Sequence, residues 1–224
     1  MTDTQSAALF DIDGTLVDSN YLHIESWSRA FADLGIDVDD WRIHRSIGMD
    51  SGKLLDALIP AEVEEHGEKA KELHASHYGE LTDRLRPFAG ARELVRELDR
   101  RGVRVVLATS APANELEILR KVLDVDGALS GTTSSEDVGT AKPEPDIVAV
   151  ALEKAQVDAA AAAFIGDAVW DFVAARKLGL VCVGVLSGGY SATELLEAGA
   201  EEVYDDVADL LEHLDDSPLT ALWA

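Results

Sequence analysis

The chain has 224 residues and a formal net charge of −24 at pH 7, from 43 Asp plus Glu against 19 Lys plus Arg. This charge repels nucleic acid and anionic membranes, so we expect neither as a partner, and an anionic substrate must be drawn in by a bound cation. The single cysteine, Cys182, excludes an internal disulfide. Together with an acidic N-terminus that has no basic signal region, it predicts a cytoplasmic protein.

Short runs rich in β-branched residues alternate along the chain with helical patterns, which predicts an α/β fold with a mainly parallel sheet covered by helices. Residues 19–85 interrupt this alternation with helical patterns and no convincing strand. We therefore predict a core domain of residues 1–18 and 86–224 and a small inserted helical domain of residues 19–85. The predicted elements in chain order are strand Ala7–Phe10, helices Tyr21–Leu34, Trp41–Ile47, Lys53–Leu58, Glu62–Leu81 and Ala89–Arg101, strand Val103–Ala108, helix Asn114–Leu123, a weak strand Ala128–Leu129, helix Asp146–Ala155, strand Ala163–Ile165, helix Val169–Leu178, strand Leu180–Val185, helix Thr193–Ala198, a weak strand Glu202–Tyr204 and helix Val207–Leu214.

Acidic, basic and hydroxyl side chains follow the predicted strands at their carboxyl ends. In parallel α/β sheets ligands bind beyond these ends, so we expect the side chains to meet at one edge of the sheet. The set consists of Asp11 and Asp13 after the first strand, Thr109 and Ser110 after the second, Asp167 and Asp171 after the strand Ala163–Ile165, and Lys142 in the loop before the helix at Asp146.

This set suits the transfer of a phosphoryl group to an aspartate, which requires that negative charge on both partners be screened. Mg²⁺ prefers oxygen ligands, and carboxylates from two loops plus a backbone carbonyl suffice to hold it. Lys142 and Ser110, with nearby backbone N–H groups, suit the phosphate oxygens. Asp13 has the spacing to protonate the leaving alcohol and later to activate water. Gly14 allows the backbone to approach the phosphate closely.

Four segments resemble, in order, the motifs of the haloacid dehalogenase superfamily, and the resemblance covers nearly the whole chain. It is closest to the helical-cap subgroup of phosphoglycolate phosphatases and β-phosphoglucomutases. The segments are Asp11-Ile12-Asp13-Gly14-Thr15-Leu16-Val17-Asp18-Ser19, Val105-Val106-Leu107-Ala108-Thr109-Ser110, Lys142-Pro143-Glu144-Pro145-Asp146 and Gly166-Asp167-Ala168-Val169-Trp170-Asp171.

The resemblance implies a Rossmann-like core, and it implies that the inserted helices form a cap that closes over the site. It further implies that Asp11 is the nucleophile and Asp13 the acid/base. Magnesium would be held by Asp11, Asp167 and the Asp13 carbonyl, with Asp171 as an indirect, water-mediated support. The other residues expected to contact the substrate's phosphate are Ser110, Lys142, Gly14, Thr109 and Ala111.

The expected function is a Mg²⁺-dependent phosphatase for a small phosphorylated metabolite, such as a sugar phosphate or a phosphoglycolate-like acid. Dehalogenases and phosphonate-cleaving relatives lack the second acid of the first motif, whereas Asp13 is present here. A β-phosphoglucomutase-like enzyme stays open as an alternative, although the basic residues that hold a distal phosphate in such relatives appear here as Ser51 and Ala113. A phospho-accepting signalling domain and a catalytically silent binding protein are alternatives from other classes.

The cap offers two further candidate substrate-binding residues, His23 and Arg45. His23 follows the first motif by one helical turn, and Arg45 lies in a stretch with turn and basic character. His74 and His77 have only helix-surface spacing without the acids of a zinc site, which favours a structural interpretation. Trp27 is interpreted as a core residue. The sequence makes no prediction about the oligomeric state.

Overall fold

The computed structural model describes residues 5–139 and 142–223. Residues 1–4 and 224, at the two ends of the predicted core domain, lie outside the described residues. The described chain forms one six-stranded sheet in which every pair of neighbouring strands is parallel. The strands are β1 (Ala7–Phe10), β2 (Arg104–Ala108), β3 (Leu129–Thr133), β4 (Ala162–Gly166), β5 (Val181–Val185) and β6 (Glu202–Tyr204).

The strand order is β3-β2-β1-β4-β5-β6, and the sheet is flanked by helices, which confirms the predicted fold class. The order reverses direction next to β1, so the carboxyl end of β1 lies at the point where such sheets bind ligands. The helices are α1 (Asn20–Asp33), α2 (Asp40–Ser46), α3 (Ser51–Leu58), α4 (Val63–Leu81), α5 (Ala91–Arg100), α6 (Ala113–Leu123), α7 (Asp146–Ala155), α8 (Val169–Arg176), α9 (Ala192–Ala198) and α10 (Val207–Glu212), with short 3₁₀ turns at Thr82–Arg84, Asp126–Ala128, Ser135–Asp137, Ala159–Ala161, Leu186–Gly188 and Pro218–Leu222.

Side chains of β1 alternate between the two faces of the sheet, as the period of a strand requires. Ala8 and Phe10 join an apolar cluster that includes α5, α6 and α10. Ala7 and Leu9 join a second cluster with α7, α8 and α9. The continuously apolar sequence of β1 fits its burial on both faces. Its position at the centre of the sheet holds the residues that follow it, Asp11 to Asp13, at the carboxyl edge.

The helices α1 to α4 enclose an apolar cluster of their own, separate from the two clusters on the sheet. Helix α1 packs along α4, and α2 and α3 complete the bundle. The chain leaves and re-enters the core at neighbouring points, because the Asp18 N–H donates to the Arg86 carbonyl at 2.9 Å and the Phe88 N–H donates to the Leu16 carbonyl at 3.0 Å. This arrangement agrees with a helical insert after β1, while its boundaries at residues 18/19 and 85/86 stay predictions.

The predicted elements end within about two residues of the observed ones, with one exception. The weak strand expected at Ala128–Leu129 is β3, which runs from Leu129 to Thr133 through polar and glycine residues. It lies at the edge of the sheet, where only one side of the strand pairs with a neighbouring strand. Cys182 lies fully buried in β5, packed with the α7–α9 cluster. None of the described helices combines the length and the apolar character that spanning a bilayer requires.

Candidate active site

The loops after β1 and β2 meet the helical insert around a cavity of about 390 Å³. The cavity lies at the carboxyl edge of the sheet, as the strand-end pattern predicts. Of the predicted site residues, those that line it are Asp11, Asp13, His23, Thr109, Ser110, Ala111 and Lys142. Asp167 and Asp171 lie behind this lining, next to Asp11. Gly14 and Arg45 are outside the described lining.

Lys142 lies at the centre of the buried charges, with its side chain almost inaccessible. Its Nζ donates to Asp11 Oδ1 at 2.5 Å and lies 2.7 Å from Asp171 Oδ1. Burial alone lowers the pKa of a lysine, but the carboxylates of Asp11 and Asp171 outweigh it and raise the pKa of Lys142 above its usual range. The ammonium group therefore stays charged and fixes one oxygen of Asp11. The peptide bond between Lys142 and Pro143 is cis.

Asp11, Asp167 and Asp171 bring one carboxylate oxygen each to within 4.8 Å of one another, and all three are buried. Burial, together with the repulsion from Asp171 and Asp13, raises the pKa of Asp11 to about 7, although Lys142 opposes the shift. Burial, Asp171 and Asp11 likewise raise the pKa of Asp167 well above its usual value. The single positive charge of Lys142 does not balance the three carboxylates of this cluster. A hard divalent cation, which prefers oxygen ligands, fits such a donor set.

Asp167 is oriented by two hydrogen bonds, one from the loop that follows β1 and one from the first residue of α1. Thr15 Oγ1 donates to Asp167 Oδ1 at 2.8 Å, and Asn20 Nδ2 donates to Asp167 Oδ2 at 3.0 Å. Gly14, with φ +79°, makes this approach possible, because a Cβ there would lie 2.2 Å from Asn20 Nδ2 and 2.5 Å from Asp167 Oδ2. The structure thus gives Gly14 a role in packing around Asp167, and its predicted contact with the substrate stays a prediction.

Asp13 has surroundings opposite to those of Asp11. Ser19 Oγ donates to Asp13 Oδ1 at 2.5 Å, and His23 Nε2 lies 3.4 Å from the same oxygen. Burial favours the neutral acid, but the hydrogen bonds from His23 and Ser19 outweigh it and hold the pKa of Asp13 below its usual value. Two carboxylates in one loop therefore differ in their affinity for a proton, which is a common property of paired catalytic acids.

His23 links Asp13 to the cap through a second imidazole. His23 Nδ1 lies 3.1 Å from His74 Nε2, His23 stacks on Tyr78 with ring centroids 4.1 Å apart, and His74 stacks on Trp27 at 4.2 Å. Burial lowers the pKa of His74 well below its usual value, and the charge of His23 adds to this. Burial also lowers the pKa of His23, yet Asp13 raises it overall. The lowered pKa of His74 suits it to accept a hydrogen bond from His23 Nδ1, while His23 Nε2 faces Asp13.

The loop after β2 presents an unused hydroxyl to the cavity. Thr109 Oγ1 accepts the Ala111 N–H at 3.0 Å, which closes the loop on itself. Ser110 Oγ is buried and has no hydrogen-bond partner among the described residues. A buried hydroxyl without a partner costs free energy, so its place at the cavity suits an oxygen of a bound ligand.

The cap supplies the opposite wall of the cavity. Its apolar lining comes from Trp27, Ile47, Met49, Leu54 and Ala75, and its polar lining includes Asp50, Ser51, Lys71, Glu72 and His74. Glu115, from the first turn of α6, completes the wall between cap and core. The sequence interpretation missed the places of Trp27, His74 and Glu115 at the cavity. A usable signal was present for the first two, because His23–Trp27 and His74–Tyr78 repeat ring-bearing residues four apart on α1 and α4.

Arg45 lies where the cap meets the core and outside the cavity lining. Its Nη2 donates to Glu194 Oε1 at 2.5 Å, its guanidinium lies 4.2 Å above the ring of Tyr190, and the Tyr190 hydroxyl donates to the Arg45 carbonyl at 2.9 Å. The neighbouring His44 makes a 2.9 Å contact from Nε2 to the Gly188 carbonyl. These contacts hold α2 against the core, and they leave the predicted substrate contact of Arg45 without a structural basis.

The sheet, the inserted helices and the acidic strand ends together define a capped hydrolase with a Rossmann-like core. The family profile described as haloacid dehalogenase-like hydrolase matches residues 5–179. The chain belongs to this family, which confirms the resemblance seen in the four motifs.

Three known proteins illustrate the similarity. Validoxylamine A 7'-phosphate phosphatase of Streptomyces hygroscopicus subsp. limoneus is 30% identical over 195 residues, which cover 85% of this chain and 90% of that protein. A phosphoglycolate phosphatase of Rhodospirillum rubrum is 26% identical over 214 residues, covering 91% and 88%. The crystal structure of a hydrolase from Pseudomonas syringae has a TM-score of 0.89 and 38% identity, covering 95% of this chain and 98% of that one.

Proposed function

We propose that the protein is a Mg²⁺-dependent, cytoplasmic phosphatase that hydrolyses the phosphate monoester of a small metabolite through an aspartyl phosphate on Asp11. The observation that carries this proposal is the position of Lys142, which pairs with Asp11 at the cavity while Asp171 and Asp167 crowd the same carboxylate from behind. A nucleophilic carboxylate needs one oxygen held and the charge around it compensated, and this arrangement supplies both.

The metal would be held by Asp11, Asp167 and the main-chain carbonyl of Asp13. Asp171 already has partners for both oxygens, because Oδ1 lies against Lys142 and Oδ2 accepts the Ala168 N–H at 3.1 Å. This pairing supports an indirect role for Asp171, through water or through Lys142. When bound, Mg²⁺ would supply the charge screening that lets an anionic carboxylate approach an anionic phosphate.

In the first step a carboxylate oxygen of Asp11 forms a bond to phosphorus while the bond from phosphorus to the ester oxygen breaks. Asp13 gives its proton to the leaving alkoxide. An arriving phosphate dianion raises the pKa of Asp13, because a nearby like charge favours the neutral acid. Lys142 and the free Ser110 hydroxyl stabilise the phosphoryl oxygens in the transition state.

In the second step Asp13, now ionised, takes a proton from water. The water oxygen attacks phosphorus, the bond between phosphorus and Asp11 breaks, and inorganic phosphate leaves. The hydrogen bonds from Ser19 and His23 that hold Asp13 ionised in the free site favour this base role. One pair of acids thus serves both half-reactions.

The names of three relatives support a proposal for the class of substrate. One is named for validoxylamine A 7'-phosphate and another for phosphoglycolate, and a third, from Thermotoga maritima, is called phosphorylated carbohydrates phosphatase. A small sugar phosphate or a phosphoglycolate-like acid is therefore the proposed substrate class.

The test is phosphate release from p-nitrophenyl phosphate with Mg²⁺, with EDTA, and with the variant Asp11→Asn. We expect many turnovers per chain with Mg²⁺, little with EDTA, and a loss of roughly 10³-fold or more for Asp11→Asn, since the nucleophile is removed. Release of about one p-nitrophenol per chain without further turnover identifies a phospho-accepting domain instead. Full activity of Asp11→Asn would contradict the proposal.

A mutase is separated from a phosphatase by its product. Incubation with β-glucose 1-phosphate and Mg²⁺ should release inorganic phosphate and glucose. Formation of the 6-phosphate isomer without release of phosphate would replace the phosphatase proposal with the mutase alternative.

A further inference from the structure

We infer that the substrate is the monophosphate of a polyol that carries no second negative charge, and that Glu115 selects it by accepting a hydrogen bond from a hydroxyl or amino group of the leaving group. The inference rests on the proposed phosphatase function and narrows its substrate class. It separates sugar-like esters from phosphoglycolate-like acids and from bisphosphates.

Glu115 is a buried acid without a direct partner among the described residues; burial raises its pKa, and the nearby charge of His23 opposes that shift. The residue is 7% exposed and borders the cavity, its carboxylate retains accessible surface, and no described residue gives it a hydrogen bond or an ion pair. Most buried carboxylates have such partners, because an unpaired one loses its hydration without compensation. A hydrogen-bond donor on a ligand in the cavity would supply the missing partner. Asp13 and His23 are the charged neighbours that act on Glu115, and His23 is already engaged with Asp13.

The charges of the cavity wall disfavour a second anion. The described lining holds two lysines, and both are paired: Lys142 with Asp11, and Lys71 with Glu68 at 2.9 Å. Three acids also line the cavity: Glu72 pairs with Lys69 at 2.9 Å, Asp50 Oδ1 accepts the Gly52 N–H at 2.8 Å, and Glu115 has no direct partner among the described residues. A carboxylate or a second phosphate placed there would meet like charges in a partly desolvated site, and such juxtaposition is a common means of rejecting a wrong partner.

The remaining wall suits the carbon skeleton of a sugar or cyclitol. Trp27, Ile47, Met49 and Leu54 form an apolar face opposite the strand ends. Ring C–H groups of a polyol pack on such a face, while its hydroxyl or amino groups turn to the few polar side chains. At about 390 Å³ the cavity is within the usual range for small-molecule sites, roughly 300–1,000 Å³, and leaves room beyond the phosphate.

The test compares kcat/KM for glucose 6-phosphate, glucosamine 6-phosphate, 2-phosphoglycolate and glucose 1,6-bisphosphate, each relative to p-nitrophenyl phosphate. We expect the better of the two sugar monophosphates to exceed both anionic substrates by at least about tenfold. Which sugar is preferred identifies the donor on the leaving group. A preference for 2-phosphoglycolate or for the bisphosphate overturns the inference. If p-nitrophenyl phosphate itself is not turned over, the proposed function fails instead, so the two failures are distinguishable.

The variants Glu115→Gln and Glu115→Ala test the residue. Gln keeps a hydrogen-bond acceptor without charge, so it should lower kcat/KM mainly for an amine-bearing substrate, whereas Ala should lower it about tenfold for either sugar monophosphate relative to p-nitrophenyl phosphate. A purely structural role predicts an equal loss on every substrate. Such an equal loss, or no change with Ala, overturns the assignment. Glu117→Gln, an exposed residue of the same helix paired with Lys121, is the matched control and should leave the substrate ratios unchanged.

Discussion

The two walls of the cavity are built on different principles. The core wall consists of buried charges that hold one another, with Lys142 between Asp11 and Asp171 and an unpaired Ser110 hydroxyl beside them. The cap wall combines an apolar face, with Trp27 and Leu54 among its residues, and polar side chains such as Lys71 and Glu72. In the proposed function the core wall binds the phosphate, whereas the cap wall faces the group attached to it. We therefore expect the chemistry to depend mainly on the core wall, and the selectivity on the cap wall together with Glu115 of α6.

Among the variants that test this difference between the walls, the largest loss of activity is expected in the core wall. Asp13→Asn removes the proton donor for the leaving alcohol, and we expect a fall in kcat of about 100- to 10,000-fold on a sugar phosphate. The loss on p-nitrophenyl phosphate should be smaller in the first step, because p-nitrophenolate leaves without a proton. Steady-state and burst kinetics on both substrates measure the difference. Unchanged turnover of the sugar phosphate would remove Asp13 from the acid role.

The second test concerns the stability of the core wall. Lys142→Met leaves Asp11 and Asp171 without their buried cation, and breaking such a pair costs about 3–5 kcal/mol of unfolding free energy. Urea unfolding in EDTA measures the change. Lys177→Met is the matched control, because Lys177 pairs with Glu144 at 2.8 Å on the surface, where a pair contributes about 1 kcal/mol or less. Equal effects of the two variants would show that the buried pair is not a centre of stability.

The third test asks whether the cap wall contributes to the chemistry of the core wall. His74→Phe keeps the ring against Trp27 and removes the acceptor of the His23 Nδ1–H, and we expect kcat on a sugar phosphate to fall about three- to tenfold, since a net hydrogen bond is worth about 0.5–1.5 kcal/mol. His77→Phe is the control on the same helix, where His77 pairs with Asp33 away from the cavity. A selective change in KM with constant kcat would place His74 in binding alone.

The smallest effect is expected where the cap meets the core. Arg45→Ala removes an ion pair to Glu194 and a contact with the Tyr190 ring, both partly exposed, and should change the unfolding free energy by about 1 kcal/mol or less. KM for the substrate should change less than twofold, because Arg45 does not reach the described cavity lining. A tenfold rise in KM would support the predicted contact between Arg45 and the substrate.

The core wall was predictable from sequence because parallel strands deliver their next residues to a common edge. The order of the strands was not needed to group Asp11, Asp167 and Lys142. Each lies next to a strand or helix whose apolar pattern is clear in the sequence. The strand β3 was underestimated for the opposite reason. Its polar sequence carries no period, and pairing with β2 at the sheet edge, a long-range contact, decides its conformation.

The cap wall was less predictable because helical spacing shows which residues share a face but not what that face covers. Arg45 was placed at the substrate, yet the packing of α2 turns it toward Glu194. His74 was interpreted as structural, yet the packing of α4 on α1 brings it to His23. Glu115 gave no signal, since an acid in the first turn of a helix is expected from the helix dipole alone.

The single cysteine of the chain provides a way to time the opening of the sheet. Cys182 is fully buried on β5, between β4 and β6, and burial raises the pKa of its thiol to about 12. A thiol reagent can react only after this part of the core opens, because a buried, protonated thiol is inert. The labelling rate thus counts opening events without any engineered probe. Slower labelling in the presence of inorganic phosphate and Mg²⁺ would show that ligand binding at the site also stabilises β5 against opening.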